Sequence, residues 1–239
     1  MDTQPDLSFY FAIHREQLAA IDRYATALTT LTETERSSRG GALARWARGF
    51  SLELDEHHYV EDRFFFPSLR ARVASAADIL ERLDAEHRHL DELLSRWRPV
   101  SRALADPNEP FAAARDAAVT VADELKTFLT DHLLIEDQDV LPLFWRHYTA
   151  AEYDAVVHEA VKKGKKAGMW FVAPFTVDCY PVGPARDAFL SAVPAILRLL
   201  HRLVRPRYDR LLATAFGPSL TSLPHAARPP AEANPRSLR

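Results

Sequence analysis

Apolar side chains in the first 150 residues recur at intervals of three and four rather than in alternation. This period is typical of amphipathic α-helices, and no strand pattern competes with it. Four such stretches follow one another: Leu7 to Leu28, Leu43 to about Pro67, Leu80 to Trp97, and Ala118 to Pro142. Short polar connections separate them, so the chain is predicted to be an all-α protein built on an up-down-up-down four-helix bundle.

Glycines and prolines predict where these helices end. The stretch "SSRGG" closes the first segment, and Pro67 and Pro142 close the second and fourth. Pro99 and the following "ADPNEP" are expected to break the third. Each apolar stripe is expected to face the centre of the bundle.

The character of the chain changes after Ala150, which predicts three parts: a bundle over 1–150, a helical extension over 151–216 and a Pro-rich disordered tail over 217–239. In the extension we expect a short helix over 151–161 and an apolar stretch, "MWFVAPFTV", broken at Pro174. A further helix is predicted from Pro184 to about Ala215, with a joint at Pro194.

Charge is distributed unevenly along the chain, although the net charge is only -3. Up to Ala150 there are 17 Lys and Arg against 26 Asp and Glu, and after it 13 against 7. An acidic body without a recognition motif argues against nucleic-acid binding. The basic extension, with "KKGKK" beside "MWFVAPF", leaves peripheral membrane or protein contact open.

The single cysteine, Cys179, cannot form an intramolecular disulfide, so nothing indicates an oxidising compartment. The N-terminus lacks the basic and apolar regions of a signal peptide, and no apolar run reaches the roughly 20 residues of a spanning helix. The sequence therefore predicts a cytoplasmic protein.

Every one of the four stripes carries a histidine where a leucine is expected; they are His14, His57, His87 and His132. The second and fourth stripes add a glutamate one turn later, Glu61 and Glu136, within a pattern repeated at an offset of 75 residues. Residues at i and i+4 share one helical face. Each pair therefore directs two potential metal ligands into the same part of the core.

Bound cations are the simplest explanation for this polar set. Burying imidazoles and carboxylates without partners costs several kcal/mol per uncompensated ion. Imidazole suits iron, zinc, copper and nickel, and carboxylates suit harder cations such as iron and manganese. Four imidazoles and two carboxylates fit a two-metal centre better than a four-coordinate zinc site.

Other polar residues near the stripes are assigned less central positions. His58, His89 and His147 are predicted to lie at the surface or at the boundary of the core. Asp91 follows His87 by one turn and is a further candidate ligand. Asp62 and Asp137 lie five residues after a stripe histidine, and they are candidate substitutes if the helix bulges there.

The segments "HHYVEDRFFFP", "EHRHLDELL" and "HLLIEDQDVLP", with a histidine in the first helix, resemble the hemerythrin-like proteins of the HHE cation-binding group. The resemblance covers roughly Leu7 to Tyr148. It implies a bundle holding a non-haem di-iron centre that binds O2, peroxide or nitric oxide. The ligands it implies, with the two glutamates bridging, are His14, His57, Glu61, His87, His132 and Glu136.

The chain departs from the oxygen-carrying members of that family in its third helix. Those members have a second histidine one turn after the first, where this chain has Asp91. Fewer protein ligands leave more open positions, which favours redox turnover, such as catalase-like chemistry, over simple oxygen carriage. The extension resembles one seen on some actinobacterial members.

Two other classes stay open. A ferritin-like carboxylate oxidase uses paired Glu-x-x-His motifs; Glu86 and His89 have this spacing, but Asp55 and His58 lie off the second stripe. The other class is a structural or interaction bundle that acts through its basic extension. That class predicts that replacing His57 or His132 with leucine stabilises the fold and leaves its activity untouched.

Overall fold

The computed structural model describes residues 3–165 and 167–221, and these residues contain no strand. The bundle helices and their continuations are α1 (Ser8–Thr29), α2 (Gly41–Val60), α3 (Phe66–Arg72), α4 (Ala77–Ala103), α5 (Phe111–Ile135) and α6 (Leu141–His147). The extension contains α7 (Ala150–Lys163), α8 (Met169–Asp178), α9 (Pro184–Ala192) and α10 (Ala195–Thr221). The prediction of an all-α protein is confirmed.

Side-chain pairs show that the four long helices alternate in direction. Between α1 and α2, Tyr10 meets Glu61, while Tyr24 stacks on Trp46 with 5.2 Å between ring centroids. Partner numbers fall along α2 as they rise along α1, so these helices are antiparallel. The same antiparallel order holds for the three other pairs of neighbouring long helices. It is shown by Asp62–His87 and Asp55–Arg98 for the second and third helices, by Glu86–His132 and Arg96–Glu124 for the third and fourth, and by His14–Asp137 and Asp22–Lys126 for the first and fourth.

A π-helical turn carries the second and fourth helices through their prolines. The turns span Glu61–Phe65 and Glu136–Val140, and α3 and α6 begin at the next residue. The amide of Phe66 donates to the carbonyl of Glu61, five residues back, and Leu141 donates to Glu136 in the same way. The wider turn accommodates the proline that follows, which lacks an N–H and would clash with an α-helical carbonyl.

Prolines therefore end fewer helices than the sequence suggested. The expectation that helices stop at Pro67 and Pro142 was wrong, because α3 and α6 continue each helix by another seven residues. Helix α4 runs through Pro99 to Ala103, and α8 runs through Pro174. The stretch "SSRGG" lies in a further π turn, Arg36–Gly40, and leads into α2.

The interior holds two apolar clusters with a polar layer between them. The inner cluster includes Ile21, Trp46, Phe50, Trp97 and Leu125. The end cluster includes Tyr10, Phe65, Leu80, Val140 and Phe144. On α2 the order is Leu54 of the inner cluster, then His57 and His58, and then Phe65 of the end cluster after the π turn. The polar residues of the stripes are thus closed off from both ends.

The extension adds to the inner cluster rather than standing apart from it. Phe171 and Phe175 of α8, together with Tyr208 of α10, are fully or almost fully buried in that cluster. Helix α10 packs against both α1 and α2, so it covers the groove between them. The predicted joint at Pro194 is present as the break between α9 and α10.

The predicted disordered tail lies outside the described residues, apart from 217–221, which are assigned to α10. Among the described residues, no helix is both long enough and apolar enough to cross a membrane.

Candidate metal centre

Two groups of buried ligand atoms meet in the polar layer. One group consists of His14, His57, Glu61 and Glu136, and the other of His58, His87 and His132. Within each group the ligand atoms lie within 4.8 Å of one another. The six residues that the stripe pattern selected are therefore brought together, and His58 joins them.

The two glutamates connect the groups. One oxygen of Glu61 lies 3.2 Å from Nε2 of His57, and the other lies 3.7 Å from Nε2 of His87. Glu136 has one oxygen 3.4 Å from Nε2 of His14 and the other 3.5 Å from Nε2 of His132. Each carboxylate thus presents one oxygen to each group of imidazoles.

The outward nitrogens of four histidines have fixed acceptors. Nδ1 of His14 donates to Asp137, Nδ1 of His87 to Asp62, and Nδ1 of His132 to Glu86, each at 2.8 Å. Nδ1 of His58 lies 2.8 Å from the carbonyl oxygen of Leu54, one turn back. In the neutral imidazole, these bonds place the hydrogen on Nδ1 and leave on Nε2 the lone pair that a metal requires.

The inward atoms, by contrast, have no hydrogen-bond partner. All five Nε2 atoms, Oε2 of Glu61 and both oxygens of Glu136 are buried and unsatisfied among the described residues. Each such atom costs about 1–3 kcal/mol relative to a paired one. A set of eight unpaired acceptors facing one another is suited to bound cations, because a cation satisfies acceptors without bringing a further polar group that needs a partner.

Burial and crowding perturb the protonation of these residues in opposite directions. Burial lowers the pKa of His57 and His58 well below the usual value, and the neighbouring histidines lower it further. Burial also opposes protonation of His87. The hydrogen bond that His87 makes to Asp62, together with the nearby carboxylate of Glu136, outweighs burial and raises the pKa of His87 to about 10. A pKa of about 10 means that metal-free His87 is held as the cation, and a metal bound at its Nε2 would displace that proton.

The two carboxylates are affected differently by the same environment. Burial, followed by the charge of Glu136, raises the pKa of Glu61 well above its usual value. Burial also acts to raise the pKa of Glu136, but His132 and His87 outweigh it and lower that pKa to about 2. Two buried carboxylates this close repel each other, and positive charge between them would relieve the repulsion.

The secondary candidates lie around the centre rather than in it. Asp137 is part-buried and binds the outer nitrogen of His14, and Asp62 does the same for His87. Asp91 is exposed and lines a cavity of about 190 Å³ that also reaches His58 and His87. His89 and His147 are exposed, as predicted.

The prediction that His58 lies at the surface or boundary was wrong, because only 6% of it is exposed. His57 and His58 lie about 100° apart around α2. The buried face of this helix is wide enough to take both side chains, and His58 continues the line of buried Leu54. His58 brings a fifth imidazole to the two groups. The absence of a second histidine in the third helix therefore no longer indicates a centre with fewer imidazoles.

Tyr10 and Glu86 contact the candidate ligands; Tyr10 was not selected from the sequence, and Glu86 was named only for its ferritin-like spacing. The Tyr10 phenol donates a hydrogen bond to Glu61, and its ring contacts His14 edge-on with centroids 4.9 Å apart. Burial, followed by the charge of Glu61, raises the pKa of Tyr10 well above its usual value. Its position one turn before His14 was the available signal.

A family comparison agrees with this geometry. The model of the Hemerythrin HHE cation binding domain matches residues 7–144, which is more than half of the chain. Neither the search of curated proteins nor the search of solved structures gives a match. The matched range spans all seven candidate ligand residues. The chain therefore belongs to the hemerythrin HHE cation-binding family.

Proposed function

We propose that the protein is a non-haem di-iron protein that binds O2, peroxide or nitric oxide for sensing, storage or detoxification. The observation that supports it best is the orientation of the histidines: four have their outer nitrogen tied to an acceptor, and all five have Nε2 buried and unpaired. Such outer hydrogen bonds are the usual companions of metal-binding histidines.

Two ions fit the ligand set better than one. A structural zinc site is satisfied by four ligands, whereas seven residues converge here. His14 and His57 would hold one iron, His58, His87 and His132 the other, and Glu61 and Glu136 lie between the groups. Mixed imidazole and carboxylate ligands suit iron. When bound, ferrous ions would supply electrons and open positions for a small oxidant.

The surrounding residues would hold the ligands in place and limit access. Asp137, Asp62 and Glu86 orient three imidazoles, and the Tyr10 hydroxyl orients the Glu61 carboxylate. The two apolar clusters exclude water from above and below. The cavity beside His58, lined also by Asp91, gives a small ligand a route to the second group.

Metal content and an optical spectrum of protein produced with iron, without chelator, test the proposal. We expect about two irons per chain and near-ultraviolet bands that change on reduction and return in air. The matched variant is His57→Leu, which we expect to lose iron and these bands. Zinc or no metal, together with failed anaerobic reconstitution, would refute the di-iron assignment.

Weak catalase-like turnover is the second candidate, and it uses the same centre. The small cavity at His58 has room for peroxide as well as for O2. Oxygen release from hydrogen peroxide by the iron-loaded protein, compared with the iron-depleted His57→Leu variant, decides between binding and turnover. A rate that scales with bound iron would indicate an enzyme.

A further inference from the structure

A second cavity lies far from the metal centre. It has a volume of about 580 Å³ and lies where the start of α2 meets α8 and α10. Gly41 lines it, 16 residues before His57, which corresponds to about 24 Å along a helix. The cavity therefore belongs to the opposite end of the bundle, and the extension forms one of its walls.

Three arginines line this cavity, and no acidic residue does. Arg45 comes from α2, and Arg207 and Arg210 come from α10. Among the residues that the structure describes, none of the three makes an ion pair. Like charges that converge without a counter-charge repel one another, so a bound anion would stabilise the arrangement.

Two other arginines of the extension do have ion-pair partners. Arg205 pairs with Asp178 at 2.6 Å and with Asp209 at 2.7 Å, and Arg186 pairs with Asp178 at 3.2 Å. The unpaired arginines are thus not a general consequence of the basic composition. Arg207 and Arg210 converge with Arg45 of α2 on the cavity.

Two further donors at the cavity also lack a counterpart. The indole N–H of half-buried Trp170 and the hydroxyl of Ser37 have no hydrogen-bond partner within the described part of the chain. The lining is therefore rich in donors and poor in acceptors. Phosphate has the complementary composition, since it offers several acceptor oxygens and a geometry that guanidinium groups bind in pairs.

We propose that this cavity binds a phosphate-bearing molecule of about nucleotide size. Its volume falls within the range of about 300–1,000 Å³ typical of small-molecule sites and exceeds what inorganic phosphate alone would fill. Trp170 and the arginine planes offer stacking surfaces for a flat ring next to the phosphate. The proposal is independent of the metal centre.

A phospholipid headgroup would present the same phosphate chemistry. Ile196, Leu199 and Leu203 are exposed by 70%, 52% and 70%, and their spacing puts them on the same face of α10 as Arg207 and Arg210. An exposed apolar stripe that continues into a basic cavity can rest on an anionic membrane. The experiment therefore has one arm for free ligands and one for vesicles.

In the first arm, the full-length protein is titrated calorimetrically with ATP, inorganic phosphate and adenosine. We expect ATP to bind more tightly than inorganic phosphate, adenosine to bind weakly or not at all, and the affinity to fall with added salt. Arg45→Ala and Arg207→Ala should each weaken ATP binding about tenfold, the loss expected for one charge-assisted hydrogen bond.

The matched control is Arg202→Ala. Arg202 is exposed on the same helix, makes no ion pair among the described residues and does not line the cavity, so ATP affinity should not change. In the second arm, the same variants are sedimented with phosphatidylcholine vesicles that contain or lack phosphatidylglycerol. Binding to the anionic vesicles alone, dependent on Arg45 and Arg207, would identify a lipid headgroup as the source of the phosphate.

Two outcomes overturn the proposal. One is that neither ATP nor anionic vesicles bind to the folded protein. The other is that Arg202→Ala weakens binding as much as Arg207→Ala, which would indicate nonspecific charge attraction. Thermal unfolding and iron content, expected to be unchanged in all three variants, separate a failure of this proposal from a failure of the metal assignment.

Discussion

At the scale of single residues, adjacent histidines on α2 have different surroundings but point to the same centre. His57 stands beside Glu61, with 3.2 Å between Nε2 and the carboxylate, whereas His58 packs against His87 with ring centroids 4.5 Å apart. The two residues therefore belong to different ligand groups. Neighbours in sequence thus serve both halves of the site.

Replacing His58 with leucine should selectively impair one half of the centre. We expect His58→Leu to lower iron content from about two per chain to about one, because the second group keeps only His87 and His132. Elemental analysis measures this directly. The control is His89→Leu on α4, whose side chain is 56% exposed and which should keep its iron. Full iron content in His58→Leu would show that this imidazole is not a ligand.

Glu53, one turn before His57, is buried outside the proposed ligand set. It is only 3% exposed, and Gln17 donates to both of its carboxylate oxygens, at 3.1 and 3.3 Å. Burial raises its pKa to about 8, and the nearby charges of Glu16 and Glu56 act in the same direction. Glu53 is therefore protonated in the folded protein at neutral pH.

This raised pKa predicts a specific dependence of stability on pH. Below pH 4.5 the group is protonated in both folded and unfolded chains, and its contribution to stability is complete. As pH rises from 4.5 through about 8, the unfolded chain ionises while the folded chain stays protonated, so the contribution is progressively lost. The loss is on the order of a few kcal/mol.

Glu53→Gln should remove that loss, because a neutral amide of similar shape cannot ionise. Urea unfolding at pH 5 and pH 9 measures the difference between the variant and the unaltered protein. We expect the variant to gain relative stability at pH 9, whereas Glu92→Gln, whose side chain is 77% exposed, should not. An equal difference at both pH values would contradict the assignment.

At the scale of elements, the contact between α2 and α8 depends on the absence of a side chain. A Cβ atom added at Gly49 would lie 2.2 Å from a ring carbon of Phe171, which is fully buried. No comparable contact exists at Gly41 of the same helix, where nothing lies within 4 Å. The extension docks closely at one point of the bundle helix and not at the other.

Gly49→Ala and Gly41→Ala should therefore change stability in opposite directions. The clash with Phe171 should cost Gly49→Ala about 1–3 kcal/mol. Gly41→Ala should gain up to about 1 kcal/mol, because alanine favours the helix more than glycine does. Free energies of unfolding from denaturant titrations compare the two. Stabilisation by both substitutions would mean that α8 does not pack on Gly49 in solution.

At the scale of the whole molecule, the extension contributes to the core that the bundle needs. Trp46 and Phe50 of α2 are buried, and both contact aromatic rings of the extension, Phe171 and Phe175 respectively. A fragment of residues 1–150 would expose them. We expect this fragment to bind a hydrophobic dye and to elute from a sizing column as aggregates. A monodisperse, cooperatively unfolding fragment would show that the bundle is an independent domain.

Metal removal should destabilise the whole molecule, because it leaves the buried acceptors of the polar layer without partners. We expect chelation of iron to lower Tm by about 10 °C or more in a chain of this size. His57→Leu, which we expect to be depleted of iron already, provides the comparison. Its Tm should be insensitive to the chelator, and an insensitive Tm in the unaltered protein would contradict the proposal.

The sequence alone determined the helical class, the four long helices and six of the seven candidate ligand residues. These follow from local rules, because a period of three to four places every fourth residue on one face, and a histidine or glutamate on that face must enter the core. The repeat at an offset of 75 residues exposed the two glutamates for the same reason. Family membership rests on the same local patterns, and the family model confirmed it.

Tertiary structure decided the features that depend on packing between helices. His58 is buried because α2 turns a wide face towards its neighbours, and the width of that face is not specified by the period of the helix alone. Asp62 and Asp137 reach histidines of other helices from the π turns that pass the prolines. The cavity with Arg45 and Arg207 exists only where the extension closes against α2. Contacts between distant segments, rather than local preference, set each of these positions.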